Sequence, residues 1–317
     1  MAELEKILEN LKKENVFNRL FEIEIRETVL DNIPEKYSEF KKQKLIFINE
    51  KILGRSVIFN LSRKKRPQPL QEIQKQEKDP FCNYQTETPV DELGRLENET
   101  SATASNLSKM ADYHSLIIFK KHNFDDLKEN DFLSALSLSQ DWFEKIKNYD
   151  EKIKTQILIW NHHFRSGASI LHPHFQILAY KNVPLKVSEL KEKLENYQKN
   201  FGTNYFDDYF NLMRKVNLAR EKYGLKIWVS LTPEKEKGFN FYGDLFKGAK
   251  FLWETLQKLI QTGTQSFNLF YLLDLNYGFF VDRGEINKLN SDFGALEVFG
   301  IKIISSDPAE LGKILFQ

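Results

Sequence analysis

The chain has 317 residues and carries 46 Lys and Arg against 45 Asp and Glu, a formal net charge of +1. Since a domain typically spans about 150 residues, this length predicts two core-sized units or one large one. Hydrophobic residues make up 41% and charged residues 29%, which excludes a wholly disordered chain. Because the charges balance, general nucleic-acid binding lacks its main driving term, and any anion site must be local.

The apolar stretches of the sequence are too short for a membrane span. The longest, such as Phe267–Leu273, fall well short of the roughly 20 residues that cross a bilayer. The first 15 residues are rich in charge and have no apolar core, so they predict an amphipathic helix rather than a secretory signal. With Cys82 as the only cysteine, no internal disulfide can form, which agrees with a reducing compartment. We therefore expect a cytoplasmic protein that binds neither membrane nor nucleic acid.

The first half of the chain predicts a hairpin, an irregular segment and then a mixed α and β region. Residues 44–49 and 55–61 are rich in β-branched and aromatic side chains, and a turn at Leu53-Gly54 separates them. Residues 63–113 are polar and lack periodicity, which predicts a long excursion over the surface. The remaining elements predicted in this half are strands at 115–119, 156–160 and 175–180 and a helix at 129–147.

The second half predicts the same order of strand, helix, strand, strand, as expected of an internal repeat. All six histidines lie between positions 114 and 174, so a duplicated chain would keep its chemistry in the first half only. This order predicts an α+β fold with an amino-terminal half over residues 1–180 that carries the histidines and a histidine-free carboxy-terminal half over 181–317. The second-half elements are predicted as strands at 226–231, 267–273 and 297–304 and helices at 244–260 and 308–315.

Residues 166–176, SGASILHPHFQ, are the densest group that could carry chemistry. Small residues around Gly167 let backbone amides approach a ligand, and amides next to Ser hydroxyls form a pocket for phosphate oxygens. His172, His174 and Gln176 alternate at a spacing of two, so on an extended strand they share one face. A neutral imidazole attacks phosphorus well when an acceptor holds its second nitrogen, which favours group transfer through a covalent intermediate.

Other interpretations of these histidines remain open from the residues alone. A His-x-His pair at strand spacing is also typical of two metal ligands, or of two partly exposed polar residues. A metal-dependent hydrolase would need more carboxylates nearby than the few aspartates there, whose positions at a strand edge and a helix start are explained by capping. The Gly-Ala-Ser segment before the histidines and the Gln after them favour the phosphate site, because a metal site would need neither. His162 and His163 are interpreted as surface residues of a strand or loop.

Residues 161–176, NHHFRSGASILHPHFQ, resemble the active-site stretch of galactose-1-phosphate uridylyltransferase and its relatives in the histidine-triad superfamily. That stretch has G-A-S or G-C-S before H-P-H-x-Q. The resemblance covers roughly residues 50 to 315. Further blocks that resemble the family in the right order are Arg63–Pro67 for R-x-K-R-P, Asp79–Cys82 for C-P-x-C, a nucleotide-contacting Asn at Asn106, the strand from His114 to His122, and the later blocks 226–243 and 294–311.

This resemblance implies two tandem histidine-triad-like half-domains, each an antiparallel sheet with packed helices. It also implies transfer of a nucleoside monophosphate between a nucleotide sugar and a sugar 1-phosphate. His174 would attack the α-phosphorus while its other ring nitrogen donates to a main-chain carbonyl, and Gln176 would hydrogen-bond a phosphoryl oxygen. The other implied substrate-binding residues are Arg63, Arg66, Asn106, Gly167, Ser169 and Glu297.

The resemblance leaves the acceptor and the activity open. An ADP-sugar or diadenosine polyphosphate phosphorylase of the same branch would use inorganic phosphate instead of a sugar phosphate. An inactive nucleotide-binding relative is the alternative from another class, although binding alone does not require a nucleophile. On composition alone, the basic run 63–66 is a solvated turn. Family members are commonly dimers, so a homodimer is a further expectation.

A structural zinc site is also implied, because family members often hold zinc with two Cys and two His. In this chain Asp79 stands at the first Cys position. The implied ligands are Asp79, Cys82, His122 and His172, a mixed donor set that is weaker and less zinc-selective than Cys₂His₂. The alternative is that no metal binds, with Cys82 a small buried hydrophobe and His122 a loop residue.

Overall fold

The structure is a computed structural model that describes residues 2–29, 41–61, 79–287 and 301–317. In these ranges the α-helices are α1 (Ala2–Leu11), α2 (Asn15–Leu20), α3 (Tyr84–Glu87), α4 (Glu129–Tyr149), α5 (Leu185–Phe201), α6 (Tyr205–Arg214), α7 (Ala249–Gln261) and α8 (Pro308–Phe316). The strands are β1 (Phe21–Val29), β2 (Lys42–Glu50), β3 (Arg55–Phe59), β4 (Ser101–Ser105), β5 (Tyr113–Phe119), β6 (Thr155–His162), β7 (His174–Tyr180), β8 (Ala219–Lys222), β9 (Leu225–Val229), β10 (Phe239–Tyr242), β11 (Phe267–Leu272), β12 (Tyr277–Asp282) and β13 (Ile301–Ile304).

The strands form two sheets, and helices pack against them, so the predicted α+β class is confirmed. The small sheet has the order β1-β2-β3-β13, in which only β3 and β13 are parallel. The large sheet has nine strands in the order β4-β5-β7-β6-β11-β12-β10-β9-β8, all antiparallel. Among the described residues, no helix is both long enough and apolar enough to cross a membrane.

The large sheet consists of two similar halves joined edge to edge. The order β4-β5-β7-β6 in the first half corresponds to β9-β10-β12-β11 in the second. In each half one long helix, α4 or α7, lies between the second and third of these strands in chain order. The two halves meet where β6 pairs with β11, from Ile157 opposite Leu272 to His162 opposite Phe267. The predicted strand–helix–strand–strand repeat is therefore present, and both copies contribute to one continuous sheet. The domain boundary at residue 180 remains a prediction; residue 180 ends β7.

Two assignments within the second repeat were wrong. The strand before α7 is β10, and the last strand of the repeat is β12; neither was predicted from the sequence. Of the predicted strand 297–304, residues 301–304 form β13, which pairs with β3 in the small sheet, and the rest lie outside the described residues. The proposed excursion 63–113 was also partly wrong, since α3 and β4 lie in it. Every residue of β4, Ser-Ala-Thr-Ala-Ser, is buried, although its small polar composition indicates a loop.

The core on one face of the sheet holds the strands of the site in place. The predicted apolar face of α4 is confirmed, and its Phe132 ring packs against Trp253 of α7 with centroids 5.1 Å apart. Trp160 on β6 is fully buried between Phe132 and Phe119. Burial of each such aromatic side chain stabilises the fold by about 2–3 kcal/mol. The sheet that carries the candidate site is therefore packed against a hydrophobic core on its other face.

Candidate active site

Strand β7 carries His174 and Gln176 on the face opposite this core. The strand lies between β5 and β6, with Gln176 opposite Leu116 on one side and Ile159 on the other. Phe175 is fully buried, and its ring packs against Trp160 in the core. Because side chains alternate along a strand, His174 and Gln176 point the other way, as the spacing predicts. Both are largely buried, with relative exposures of 6% and 8%.

One hydrogen bond fixes the tautomer of His174. Its Nδ1 lies 2.8 Å from the main-chain oxygen of His172, which can only accept, so Nδ1 carries the proton. Burial lowers the pKa of His174 to about 4, and the ring is neutral near pH 7. The lone pair is therefore on Nε2. This is the main-chain contact that the resemblance implies for a nucleophilic histidine.

Gln176 and Asn106 both contact His114 on the neighbouring strand. Oε1 of Gln176 lies 3.1 Å from Nε2 of His114, and Nδ2 of Asn106 lies 3.2 Å from the same nitrogen. The structure therefore brings Asn106 next to Gln176, although the two are 70 positions apart in sequence. Sequence reasoning assigned no role to His114, because its proximity to Gln176 depends on the pairing of β5 with β7.

Two backbone amides of the loop between β6 and β7 form hydrogen bonds within the loop. Residues 164–166 form a short 3₁₀ turn, and Gly167 ends it with φ of 93°, a conformation that favours glycine. The amide of Gly167 donates to the Phe164 carbonyl at 2.9 Å, and that of Ala168 donates to the His163 carbonyl at 3.3 Å. These two amides are engaged within the loop, so amides available to a phosphate begin at Ser169, which is exposed. The assignment of Gly167 and Ser169 to substrate binding stays a prediction.

His162 and His163 are not the surface residues that the sequence analysis expected. Both are half-buried, and the His162 ring packs against Phe124 and Phe267 with centroids 4.1 and 4.9 Å away. Burial lowers the pKa of His162 to about 3. His163 has φ of 75° and ψ of 159°, a region that is essentially restricted to glycine, and its Nδ1 is buried without a hydrogen-bond partner. The loop that leads to the candidate site is therefore strained at His163.

We expect His163→Gly to stabilise the protein. Relief of the strained backbone contributes about 1–3 kcal/mol, and a flexible glycine costs about 1 kcal/mol of unfolded-state entropy, so a net gain of about 1 kcal/mol follows. Urea unfolding measures it. Asn217→Gly is the matched control: Asn217 is exposed with φ of 58°, which asparagine tolerates, so its effect should stay near zero. A loss of stability in His163→Gly would show that the ring contacts outweigh the strain.

The four residues of the implied metal site lie together, as the resemblance implies: Asp79, Cys82, His122 and His172. Oδ2 of Asp79 lies 2.8 Å from Nδ1 of each histidine and 3.1 Å from Sγ of Cys82. The sulfur is 3.1 Å from His122 Nδ1 and 3.9 Å from His172 Nδ1. A tetrahedral zinc with bonds of about 2.0–2.3 Å separates its ligand atoms by roughly 3.3–3.8 Å. The observed spacings are close to that geometry.

The surroundings of the cluster also fit a metal. Nε2 of His172 lies 2.6 Å from the Phe119 carbonyl oxygen, so it donates there and leaves Nδ1 with its lone pair toward the cluster. Oδ1 of Asp79 accepts from the Phe81 amide at 2.9 Å, which directs Oδ2 to the same point. The donor set of one oxygen, one sulfur and two nitrogens therefore fits a zinc-like ion.

His172 contacts both parts of the candidate site, the metal cluster and the nucleophile His174. Its ring belongs to the candidate metal cluster, and its main-chain oxygen accepts from His174. Phe81 lies between them, with ring centroids 5.8 Å from His172 and 5.1 Å from His174. The cluster thus lies where it can hold the carbonyl that orients His174. The predicted substrate-binding residues Arg63, Arg66 and Glu297 lie outside the described residues.

Solved structures share this architecture at low sequence identity. An ADP-glucose phosphorylase from Arabidopsis thaliana with bound ADP-glucose is 17% identical, with a TM-score of 0.64, and the match covers 86% of this chain and 98% of that one. A GalT-like protein from the same plant is 16% identical, with a TM-score of 0.63 and the same coverage of both chains. The chain has the GalT-like fold.

A structure of a uridylyltransferase supports the same fold, with 13% identity, a TM-score of 0.59 and coverage of 85% of this chain and 96% of that one. No protein-family model and no curated sequence matches the chain. The resemblance drawn from the histidine block thus predicted the fold correctly.

Proposed function

We propose that this GalT-like protein is a nucleotidyltransferase that moves a nucleoside monophosphate between a nucleotide sugar and a sugar 1-phosphate through a covalent intermediate on His174. One observation carries the proposal: the Nδ1–H of His174 is held by the His172 carbonyl, so the neutral ring directs an unprotonated Nε2 away from that contact. The fold shared with a uridylyltransferase and with an ADP-glucose phosphorylase supports it.

The first step is a displacement at the α-phosphorus of the nucleotide sugar. The Nε2 lone pair of His174 forms the N–P bond as the bond from phosphorus to the bridging oxygen breaks, and the sugar 1-phosphate leaves with that electron pair. The ring becomes a cationic nucleotidyl-imidazolium, which the Nδ1 hydrogen bond to the His172 carbonyl stabilises. In the second step a phosphate oxygen of the acceptor forms the new bond to phosphorus, and the N–P electrons return to Nε2.

Gln176 supplies an amide donor to a phosphoryl oxygen during both steps. An amide does not transfer a proton, so the site favours an acceptor that is already anionic over water. The remaining substrate-binding roles stay proposals: diphosphate contacts from Arg63 and Arg66, nucleotide contacts from Asn106, a phosphate contact from Ser169 with Gly167 leaving room for the ligand, and a hexose contact from Glu297.

A zinc-like ion held by Asp79, Cys82, His122 and His172 would have a structural role. When bound, it neutralises the carboxylate and thiolate and fixes the His172 ring. The residue that links this cluster to the reaction is His172, whose main-chain oxygen keeps His174 in one tautomer.

Inorganic phosphate is the alternative acceptor, which would make the protein a phosphorylase of ADP-sugars or diadenosine polyphosphates. The fold shared with an ADP-glucose phosphorylase that holds ADP-glucose favours testing it. Both versions begin with the same attack by His174, and they differ in the base of the donor nucleotide and in which phosphate attacks second.

The test is incubation with UDP-glucose or ADP-glucose that is radiolabelled at the α-phosphate. We expect a protein-bound label that is acid-labile, base-stable and mapped to His174, because phosphoramidates have that stability. Release of the label by galactose 1-phosphate supports the uridylyltransferase version, and release by inorganic phosphate supports the phosphorylase. Tight nucleotide binding without any label would instead support an inactive nucleotide-binding protein.

A further inference from the structure

His114 lies on β5, beside the strand that carries His174 and Gln176, and its ring is buried among polar neighbours. Its relative exposure is 1%. The backbone N–H of Met110 is 3.1 Å from Nδ1, and Gln176 Oε1 is 3.1 Å from Nε2. The reaction steps proposed above use neither contact.

The Met110 contact decides which nitrogen of the His114 ring carries the proton. A backbone N–H can only donate, so Nδ1 must accept and is unprotonated. Burial lowers the pKa of His114, which keeps the ring neutral near pH 7. A neutral imidazole has one N–H, and in His114 it is therefore on Nε2.

A donor at Nε2 determines how the Gln176 amide is turned. The oxygen and nitrogen of a Gln side chain are nearly identical in shape, and only the hydrogen-bond network distinguishes them. Because His114 donates, the Gln176 oxygen must face it and the NH₂ group must point elsewhere. Among the residues that the structure describes, none accepts a hydrogen bond from that NH₂ group. It is available to a ligand oxygen.

The Asn106 side chain is turned by a separate contact. Its Oδ1 accepts from the Ser108 amide at 2.9 Å, so the group that faces His114 Nε2 is the NH₂. Two donors cannot form a hydrogen bond with each other, which leaves the His114 proton to Gln176.

We propose that His114 is a positioning residue: by donating from Nε2 to Gln176 Oε1, it keeps the Gln176 NH₂ group directed at the phosphoryl oxygens of the substrate. The proposal rests on the proposed function, in which Gln176 donates to those oxygens. Without His114, the amide can turn its own oxygen toward the phosphate, and two partial negative charges then face each other. The stabilisation of the transition state is lost in that orientation.

The tautomer can be measured in the unmodified protein. Long-range proton–nitrogen NMR correlations on ¹⁵N-labelled chain distinguish Nε2–H from Nδ1–H for each ring. We expect Nε2–H for His114, and an Nδ1–H signal overturns the proposal whether or not the protein transfers nucleotides. Absence of the His174 label would instead overturn the proposed function, so the two failures are distinguishable.

Two variants at position 114 separate the donor from the rest of the ring. His114→Gln can place an NH₂ group near the position of Nε2, whereas His114→Asn can only reach the Nδ1 side. We expect His114→Asn to slow labelling of His174 by about 10- to 100-fold, with nucleotide affinity changed by less than about threefold. His114→Gln should recover the rate to within roughly fivefold. Equal rates for the two variants overturn the proposal.

The Gln176→Ala background tests whether His114 acts through Gln176. In that background His114→Asn should cause no further loss, because the group that it positions is absent. A loss of the same size with and without Gln176 contradicts the proposal. Should His114→Asn fail to fold, the NMR measurement on the unmodified chain still decides.

Discussion

His174→Asn should abolish nucleotide transfer. Asparagine retains an NH₂ group near the position of Nδ1, which can still donate to the His172 carbonyl, and it removes only the atom that attacks phosphorus. Loss of the nucleophile is expected to reduce turnover by about 10⁴-fold or more, equivalent to about 5 kcal/mol of barrier. Nucleotide affinity should change far less, because Nε2 forms its bond only in the reaction.

The measurements are steady-state turnover and incorporation of the α-phosphate label. His163→Gly is the control, since it removes a neighbouring imidazole that the proposed reaction does not use, and it should still be labelled. A His174→Asn protein that turns over at the parental rate would remove the basis of the proposed function. A slow variant that binds the nucleotide normally would support it.

The catalytic strand can be predicted from sequence because its signal is local. His174 and Gln176 stand at a spacing of two, and strand alternation alone places them on one face of β7. The expectation that His172 shares this strand was wrong, since it lies in a bend just before β7. The strongest elements, such as α4 with its apolar face, were also predictable from periodicity. These features need no information from distant parts of the chain.

Features that depend on long-range pairing could not be predicted in this way. Asp79 and His172 are 93 positions apart, and composition gives no reason to bring them together; only the family resemblance implied it. The role of His114 follows from the register of β5 against β7, which no local pattern specifies. Strand β4 was missed because tertiary burial overrides its small polar composition.

Loss of a bound metal should lower both the stability and the activity of the protein. We expect the purified protein to hold about one divalent ion per chain and Cys82→Ser to hold almost none, because serine replaces the thiolate donor. At an ion concentration near 1,000 times its dissociation constant, the metal stabilises the fold by about 4 kcal/mol. Its loss should therefore lower the melting temperature by roughly 10 °C.

Asp79→Cys is the complementary variant, because it completes a Cys₂His₂ set. It should retain zinc at a chelator concentration that strips the parental protein, since thiolate binds zinc more strongly than carboxylate does. Asp125→Asn is the matched control: Asp125 is an exposed acidic residue near His122 in sequence but outside the cluster, and its loss should leave the metal content unchanged. Elemental analysis and thermal unfolding measure both effects.

The metal and the nucleophile should also be coupled through His172. When the ring of His172 is no longer held, its main-chain oxygen is less firmly placed, and the Nδ1 contact that fixes the tautomer of His174 weakens. Cys82→Ser should therefore label His174 more slowly than Asp125→Asn even at a temperature where both are folded. Equal metal content in Cys82→Ser and the parental chain would contradict the site, and equal labelling rates after metal loss would show that His172 holds its position without the ion.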